Sequence, residues 1–75
     1  MFVSTFTIDT VKKIRAFVAC STYLKTRVVA KQDNYVVDGK SIMGLFSLDL
    51  SRPISVEFEN DEEYSLFRQA FDDYL

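Results

Sequence analysis

The chain has 75 residues, of which 48% are hydrophobic and 15% aromatic, and its formal net charge is −2. This length allows one small core, in which most aromatic side chains must be buried to offset the entropy of ordering the chain, so we expect residues 1–75 to form a single domain. The acidic balance, with a pI near 4.9, argues against a nucleic-acid partner, because such proteins normally carry a basic face.

The cysteine and histidine content limits the chemistry further. The chain has one cysteine, Cys20, and no histidine. A lone cysteine cannot form an internal disulfide, and without histidine a zinc site has few possible ligands, so we expect no metal and no other cofactor. The composition suits a reducing cytoplasm, and no segment is apolar over the length of a membrane span. We therefore predict a cytoplasmic protein with no membrane partner.

The N-terminal residues predict a strand followed by a helix. Residues Phe2–Ile8 alternate with the period of a strand, which argues against a signal peptide. Asp9 and Thr10 supply side chains that cap helices. The apolar stripe of the predicted helix comprises Val11, Ile14, Phe17, Val18 and Ser21.

Basic residues crowd the first turns of this helix, at Lys12, Lys13 and Arg15. The helix dipole disfavours cations at this end by about 0.3–1 kcal/mol each, so they do not serve helix stability. One interpretation is a solvated face, and the other is a subsite for an anionic group or an acidic partner.

The middle of the chain predicts a β-hairpin, and a third strand pattern follows later. Lys25–Gln32 and Tyr35–Val37 are strand-like and are separated by Asp33 and Asn34, which tolerate tight turns. The clearest amphipathic strand places Ile54, Val56 and Phe58 opposite Ser55, Glu57 and Glu59.

The C-terminal residues predict a final helix. Asn60 is a capping residue with Glu63 at the position of a capping box, and acidic side chains fill the first turn. Aromatic residues then follow at helical spacing: Tyr64, Phe67, Phe71 and Tyr74. The predicted order is βαββαβα, which favours an α+β fold with an antiparallel sheet and helices on one face.

A short helix lies between the hairpin and the last strand. It begins at the capping residue Ser41 and is predicted to end near Leu50, because a proline follows closely. Residues Ile42–Leu48 carry no charge, so one core-facing stripe cannot hold every apolar side chain. Leu45 and Leu48 share one face, which we assign to the core. The neighbouring face carries Ile42, Met43 and Phe46, which form either a contact surface or further core.

This segment resembles the regulatory-serine segment of HPr, the small phosphocarrier of the bacterial sugar phosphotransferase system. The matching residues are Lys40, Ser41, Ile42, Met43, Gly44, Leu45, Ser47 and Leu48. Without a gap, the resemblance runs from about Val11 to Leu50. It implies an open-faced sandwich of four strands and three helices.

The resemblance also shows a departure from the family. It places Thr10 at the position of the carrier histidine of HPr and Lys12 at that of a nearby phosphate-holding arginine. A threonine phosphoester would be a poor relay, and Cys20 has no evident group to activate it. No serine has a histidine base, and no carboxylate pair is set in an apolar surround, so we expect no enzymatic active site.

The resemblance implies two roles for the short helix. In HPr the serine matching Ser41 is phosphorylated by HPr kinase/phosphorylase, and a helix-capping role for Ser41 is compatible with this. The positions of Ile42, Met43 and Phe46, with Lys40, form the surface that HPr presents to partner proteins. The implied partners are an HPr kinase/phosphorylase or a transcriptional regulator.

The sequence therefore predicts an HPr-like regulatory or protein-binding module without histidine phosphocarrier activity. It resembles the HPr paralogues of catabolite repression, which lack the carrier histidine and keep the regulatory serine. Two alternatives remain open: a phosphocarrier with a non-histidine acceptor, and a scaffold without regulation.

Overall fold

Four strands and three helices follow one another in the predicted order βαββαβα. The computed structural model describes all residues from Met1 to Leu75. The elements are β1 (Phe2–Phe6), α1 (Val11–Tyr23), β2 (Val28–Gln32), β3 (Tyr35–Asp38), α2 (Ile42–Phe46), β4 (Ile54–Phe58) and α3 (Asp61–Tyr74).

The strands form one antiparallel sheet in the order β1-β4-β2-β3. Phe58 of β4 lies opposite Phe2 of β1 on one side and opposite Val28 of β2 on the other. The strand with the clearest alternation in the sequence is therefore a central strand. Its inward side chains are buried, namely Ile54, Val56 and Phe58.

The helices cover one face of the sheet, where aromatic rings dominate the core. Phe67 of α3 is fully buried, and its ring centroid lies 5.1 Å from those of Phe17 and Phe58. It also lies 5.4 Å from Phe6 of β1 and 5.5 Å from Phe71. Such ring pairs add about 0.5–1.5 kcal/mol each beyond the burial of their area. Phe67 thus joins α1, α3 and the sheet.

The other face of the sheet carries no helix. Its outward side chains include the exposed Val3 and Val36. Lys31 and Glu57 form an ion pair of 2.7 Å across two of its strands. The architecture is the open-faced sandwich that the sequence predicts.

The apolar stripes predicted for α1 and α3 are each too long at one end. Val11 is 61% exposed and Tyr74 is 55% exposed, whereas Ala16 and Cys20 are buried. Val11 and Tyr74 lie in terminal turns, beyond the part of each helix that covers the core. Helical periodicity in a sequence does not show where a helix extends past its sheet.

The predicted end of α2 near Leu50 is wrong, because the helix ends at Phe46. The amide and the hydroxyl of Ser47 both donate to the carbonyl oxygen of Gly44, which closes the last turn. The amide of Leu48 then donates to the carbonyl of Leu45 at 3.0 Å. Leu48 remains buried despite lying outside the helix.

Candidate functional site

The turn before α2 is fixed by a close approach between two backbones. The amide of Gly39 donates to the carbonyl of Val28 at 2.7 Å. A Cβ atom on Gly39 would lie 2.6 Å from Cγ1 of Val28, so only glycine fits without displacement. The amide of Lys40 donates to a carboxylate oxygen of Asp38 at 2.9 Å. These contacts hold the start of α2 against the end of the hairpin.

Ser41 is the N-cap of α2. Its Oγ accepts a hydrogen bond from the amide of Gly44 at 3.1 Å, and its carbonyl accepts one from Leu45 at 3.0 Å. A Cβ on Gly44 would lie 3.4 Å from Ser41 Oγ and 3.3 Å from Cβ of Val37. Glycine therefore keeps space beside the hydroxyl, which is half-buried. The cap alone contributes about 0.5–2 kcal/mol.

The two faces of α2 differ sharply in exposure. Leu45 is fully buried, and Leu48, just past the helix, is also buried. On the other side, Ile42 is 40% exposed, Met43 76% and Phe46 55%. We call Ile42, Met43 and Phe46 the α2 patch. Their exposure shows that they are not needed to complete the core.

Lys40 has a structural contact that the sequence did not predict. Its Nζ donates to the carbonyl oxygen of Leu24 at 2.8 Å. Leu24 is the C-cap of α1, so the ammonium lies where a helix end presents unpaired carbonyls. Lys40 thus ties the start of α2 to the end of α1, and its side chain is only partly available to a partner.

The start of α1 is a separate region of the surface. Thr10 is the N-cap, and its hydroxyl accepts from the amide of Lys13 at 3.2 Å. The Nζ of Lys13 pairs with Asp9 at 3.2 Å, and this hydrogen bond lowers the pKa of Asp9. Lys12 and Arg15 are exposed and form no ion pair.

Two features of this region bear on the predicted anion subsite. Lys13 is already neutralised by Asp9, which leaves Lys12 and Arg15 as its free charges. No hydrogen bond or ion pair joins any of these residues to Ser41. The predicted anion subsite at the start of α1 is therefore separate from the predicted phosphorylation site at Ser41.

Cys20 is only 3% exposed, and its burial raises the pKa of the thiol. Because the thiolate is the nucleophilic form, this environment disfavours reactivity. No group of three or more histidine, cysteine, aspartate or glutamate side chains is arranged to hold a metal ion. None of the helices has the length and apolar character that a membrane crossing requires.

The fold has a counterpart among solved structures. The crystal structure of HPr-C-His from Thermoanaerobacter tengcongensis matches this chain with a TM-score of 0.76 and 26% sequence identity, over 97% of this chain and 89% of the other. No protein-family model and no curated protein matches the chain. The chain thus has an HPr-like fold.

Proposed function

We propose that this protein is an HPr-like regulatory or protein-binding module that does not carry phosphate on histidine. The observation that carries the proposal is the exposure of the α2 patch beside Ser41. Three neighbouring apolar side chains on one short helix form a surface of the kind that protein partners cover. Met43 can adapt its shape to a partner, and Phe46 offers a rigid ring.

The residues at the start of α1 support recognition over phosphate transfer. The chain has no imidazole, and the oxygen of Thr10 already accepts the hydrogen bond that caps α1. A phosphoester on threonine is a stable ester and transfers poorly. Cys20 is buried, so it is a poor alternative acceptor. We propose no enzymatic activity and no cofactor for the same reason.

Ser41 is the proposed regulatory site. Phosphorylation would add about −1.5 to −2 charges at the edge of the α2 patch. The amide of Gly44, which now donates to Ser41 Oγ at 3.1 Å, would remain available as a donor to the phosphate. The helix can therefore persist while the potential beside the patch changes. The proposed partners are an HPr kinase/phosphorylase, and a transcriptional regulator that senses this change.

Binding through the α2 patch is tested by titrating purified candidate regulators from the host with Phe46→Ser and Met43→Ser variants. Removal of an exposed aromatic anchor from an interface typically costs about 2 kcal/mol or more, so we expect roughly thirtyfold weaker binding for Phe46→Ser. The matched control is Leu66→Ser on α3, where the wild-type side chain is 46% exposed. It should bind like wild type. Equal affinity of Phe46→Ser and wild type would remove the patch from the proposal.

Modification of Ser41 is tested with ATP and an HPr kinase, followed by mass spectrometry of the peptide that contains Lys40 and Ser41. We expect one added phosphate on this peptide in wild type and none in Ser41→Ala. An unmodified wild-type peptide, under conditions in which the kinase phosphorylates HPr, would contradict this part of the proposal.

A further inference from the structure

A cavity of about 330 Å³ lies between the start of β2 and the end of β3. The outward side chains of Val29 and Val36 supply its apolar lining, whereas Val28 and Val37 border it but turn their side chains to the core. Its basic lining comes from Lys25, Arg27 and Lys40. Neither Ser41 nor any residue of the α2 patch lines it; of the residues predicted to meet a partner, it shares only Lys40.

The cations of this cavity form no ion pairs with acidic side chains. Of nine basic residues in the chain, Lys13, Lys31, Arg52 and Arg68 are held in ion pairs. The remaining ones are Lys12, Arg15, Lys25, Arg27 and Lys40. Three of these five unpaired cations line one cavity, in a chain whose net charge is −2.

The acidic groups nearby are already engaged. Asp38 lines the cavity, and one of its oxygens accepts from the amide of Lys40 at 2.9 Å. Thr26, also in the lining, donates its hydroxyl to Glu63 at 2.6 Å. Neither carboxylate lies within ion-pair distance of Lys25 or Arg27. These two acids therefore lower the positive potential of the cavity, but neither forms an ion pair with Lys25 or Arg27.

The donors available in the cavity suit a phosphate group. Arg27 has a planar fork of N–H donors that matches phosphate oxygens in a bidentate way, and none of them has a partner within the chain. The Nζ of Lys40 is held in place by the carbonyl of Leu24 at 2.8 Å. Its remaining N–H donors are unpaired.

We propose that this cavity binds a small phosphate monoester. Arg27 and Lys25 would hold the phosphate, Lys40 would add a fixed positive charge, and Val29 and Val36 would contact an apolar body. The volume is near the lower end of ligand pockets, which span about 300–1,000 Å³. It fits a small molecule better than a peptide that must continue past the cavity in both directions.

The binding is tested by NMR titration of the ¹⁵N-labelled protein with phenyl phosphate in a phosphate-free buffer. We expect saturable shifts in the amides of residues 25–29 and 36–40. Inorganic phosphate should bind more weakly because it lacks the apolar group, and benzyl alcohol should not bind. Absence of saturable shifts with phenyl phosphate would overturn the proposal, as would shifts centred on the start of α1.

Matched variants distinguish a specific binding site from a general attraction of anions to surface cations. Arg27→Gln removes charge-assisted hydrogen bonds and should weaken phenyl phosphate binding about tenfold or more. Arg15→Gln removes the same charge from another exposed, unpaired arginine and should leave the affinity unchanged. Spectra of both free variants should match wild type, because both side chains are exposed. Equal weakening by the two substitutions would show delocalised attraction and contradict the site.

Two further comparisons identify the ligand class and its relation to Ser41. A phosphoserine peptide that binds more tightly than phenyl phosphate would overturn the small-molecule assignment. Ser41→Ala should bind phenyl phosphate like wild type, since Ser41 does not line the cavity. Loss of binding in Ser41→Ala would contradict the independence of the two sites, whatever the outcome of the kinase experiment.

Discussion

The starts of α1 and α2 are built alike but have different surroundings. In each, a hydroxyl caps the helix: Thr10 accepts from Lys13 at 3.2 Å, and Ser41 accepts from Gly44 at 3.1 Å. The start of α1 is polar, apart from Val11, and its cations are partly neutralised. The start of α2 leads directly into exposed apolar side chains. The two helix starts therefore share one capping device and differ in apolar surface, which is Val11 alone at α1 and the three side chains of the α2 patch at α2.

The largest effect is expected from breaking the core on which both helix starts rest. Phe67→Ala should destabilise the fold by about 3–5 kcal/mol, because it removes a fully buried ring that contacts α1, β4 and β1. Chemical denaturation followed by circular dichroism measures this loss. A loss below about 1 kcal/mol would show that the ring is not the centre of the core.

The same substitution should destabilise α1 and α2 together. Amide hydrogen exchange of α1 and α2 in Phe67→Ala should accelerate in both helices, since one core cluster includes Phe17 of α1 and Leu45 of α2. Acceleration confined to α1 would mean that α2 is held independently, by its contacts with the hairpin.

A matched pair of cap substitutions sharpens the comparison directly. Thr10→Ala and Ser41→Ala should each cost about 0.5–2 kcal/mol of stability, because each loses one capping acceptor. Under phosphorylating conditions, Ser41→Ala should also abolish the change in regulator binding, whereas Thr10→Ala should not affect it. Titration of each phosphorylated and unphosphorylated protein with the regulator measures the difference. A regulatory defect in Thr10→Ala would show that the start of α1 takes part in regulation, which would contradict the proposal.

The smallest effect concerns the charge pair beside Thr10. The hydrogen bond from Lys13 lowers the pKa of Asp9, so the pair stabilises the folded state at pH values above the unfolded pKa of about 3.9. This stabilisation is lost as the pH falls through the lower, folded pKa. Because the pair is exposed, the effect should be slight and should weaken in high salt.

The control for this pair is Asp9→Asn, which cannot titrate. Its unfolding free energy, measured by denaturation from pH 6 down to pH 2, should fall slightly less steeply than that of wild type. Parallel pH profiles for the two proteins would show that the pair contributes nothing to stability.

Local patterns in the sequence predicted the element order and both faces of α2. Helical spacing separates Leu45 from the α2 patch, and the turn at Asp33, whose φ is 55°, follows from its residue type. The end of α2 was not predictable, because it depends on how Ser47 bonds to the carbonyl of Gly44.

Contacts between distant residues account for what the sequence did not show. Lys40 bonds to Leu24, which lies 16 positions earlier. In the sequence, Lys25 and Arg27 are isolated cations and did not indicate a binding site. They line the same cavity as Lys40 only because the start of β2 lies beside the end of β3. Residue spacing along one helix or strand cannot reveal a cavity that two separate segments line together.

We propose that this protein works by being recognised and does not pass phosphate onward. The direct measurement is a transfer assay with labelled phosphoenolpyruvate, the general phosphotransferase enzyme and this protein, with a histidine-containing HPr as the positive control. We predict that HPr acquires an acid-labile phosphoryl group and that this protein stays unlabelled. An acid-labile phosphoprotein that donates its label to a second protein would contradict the account.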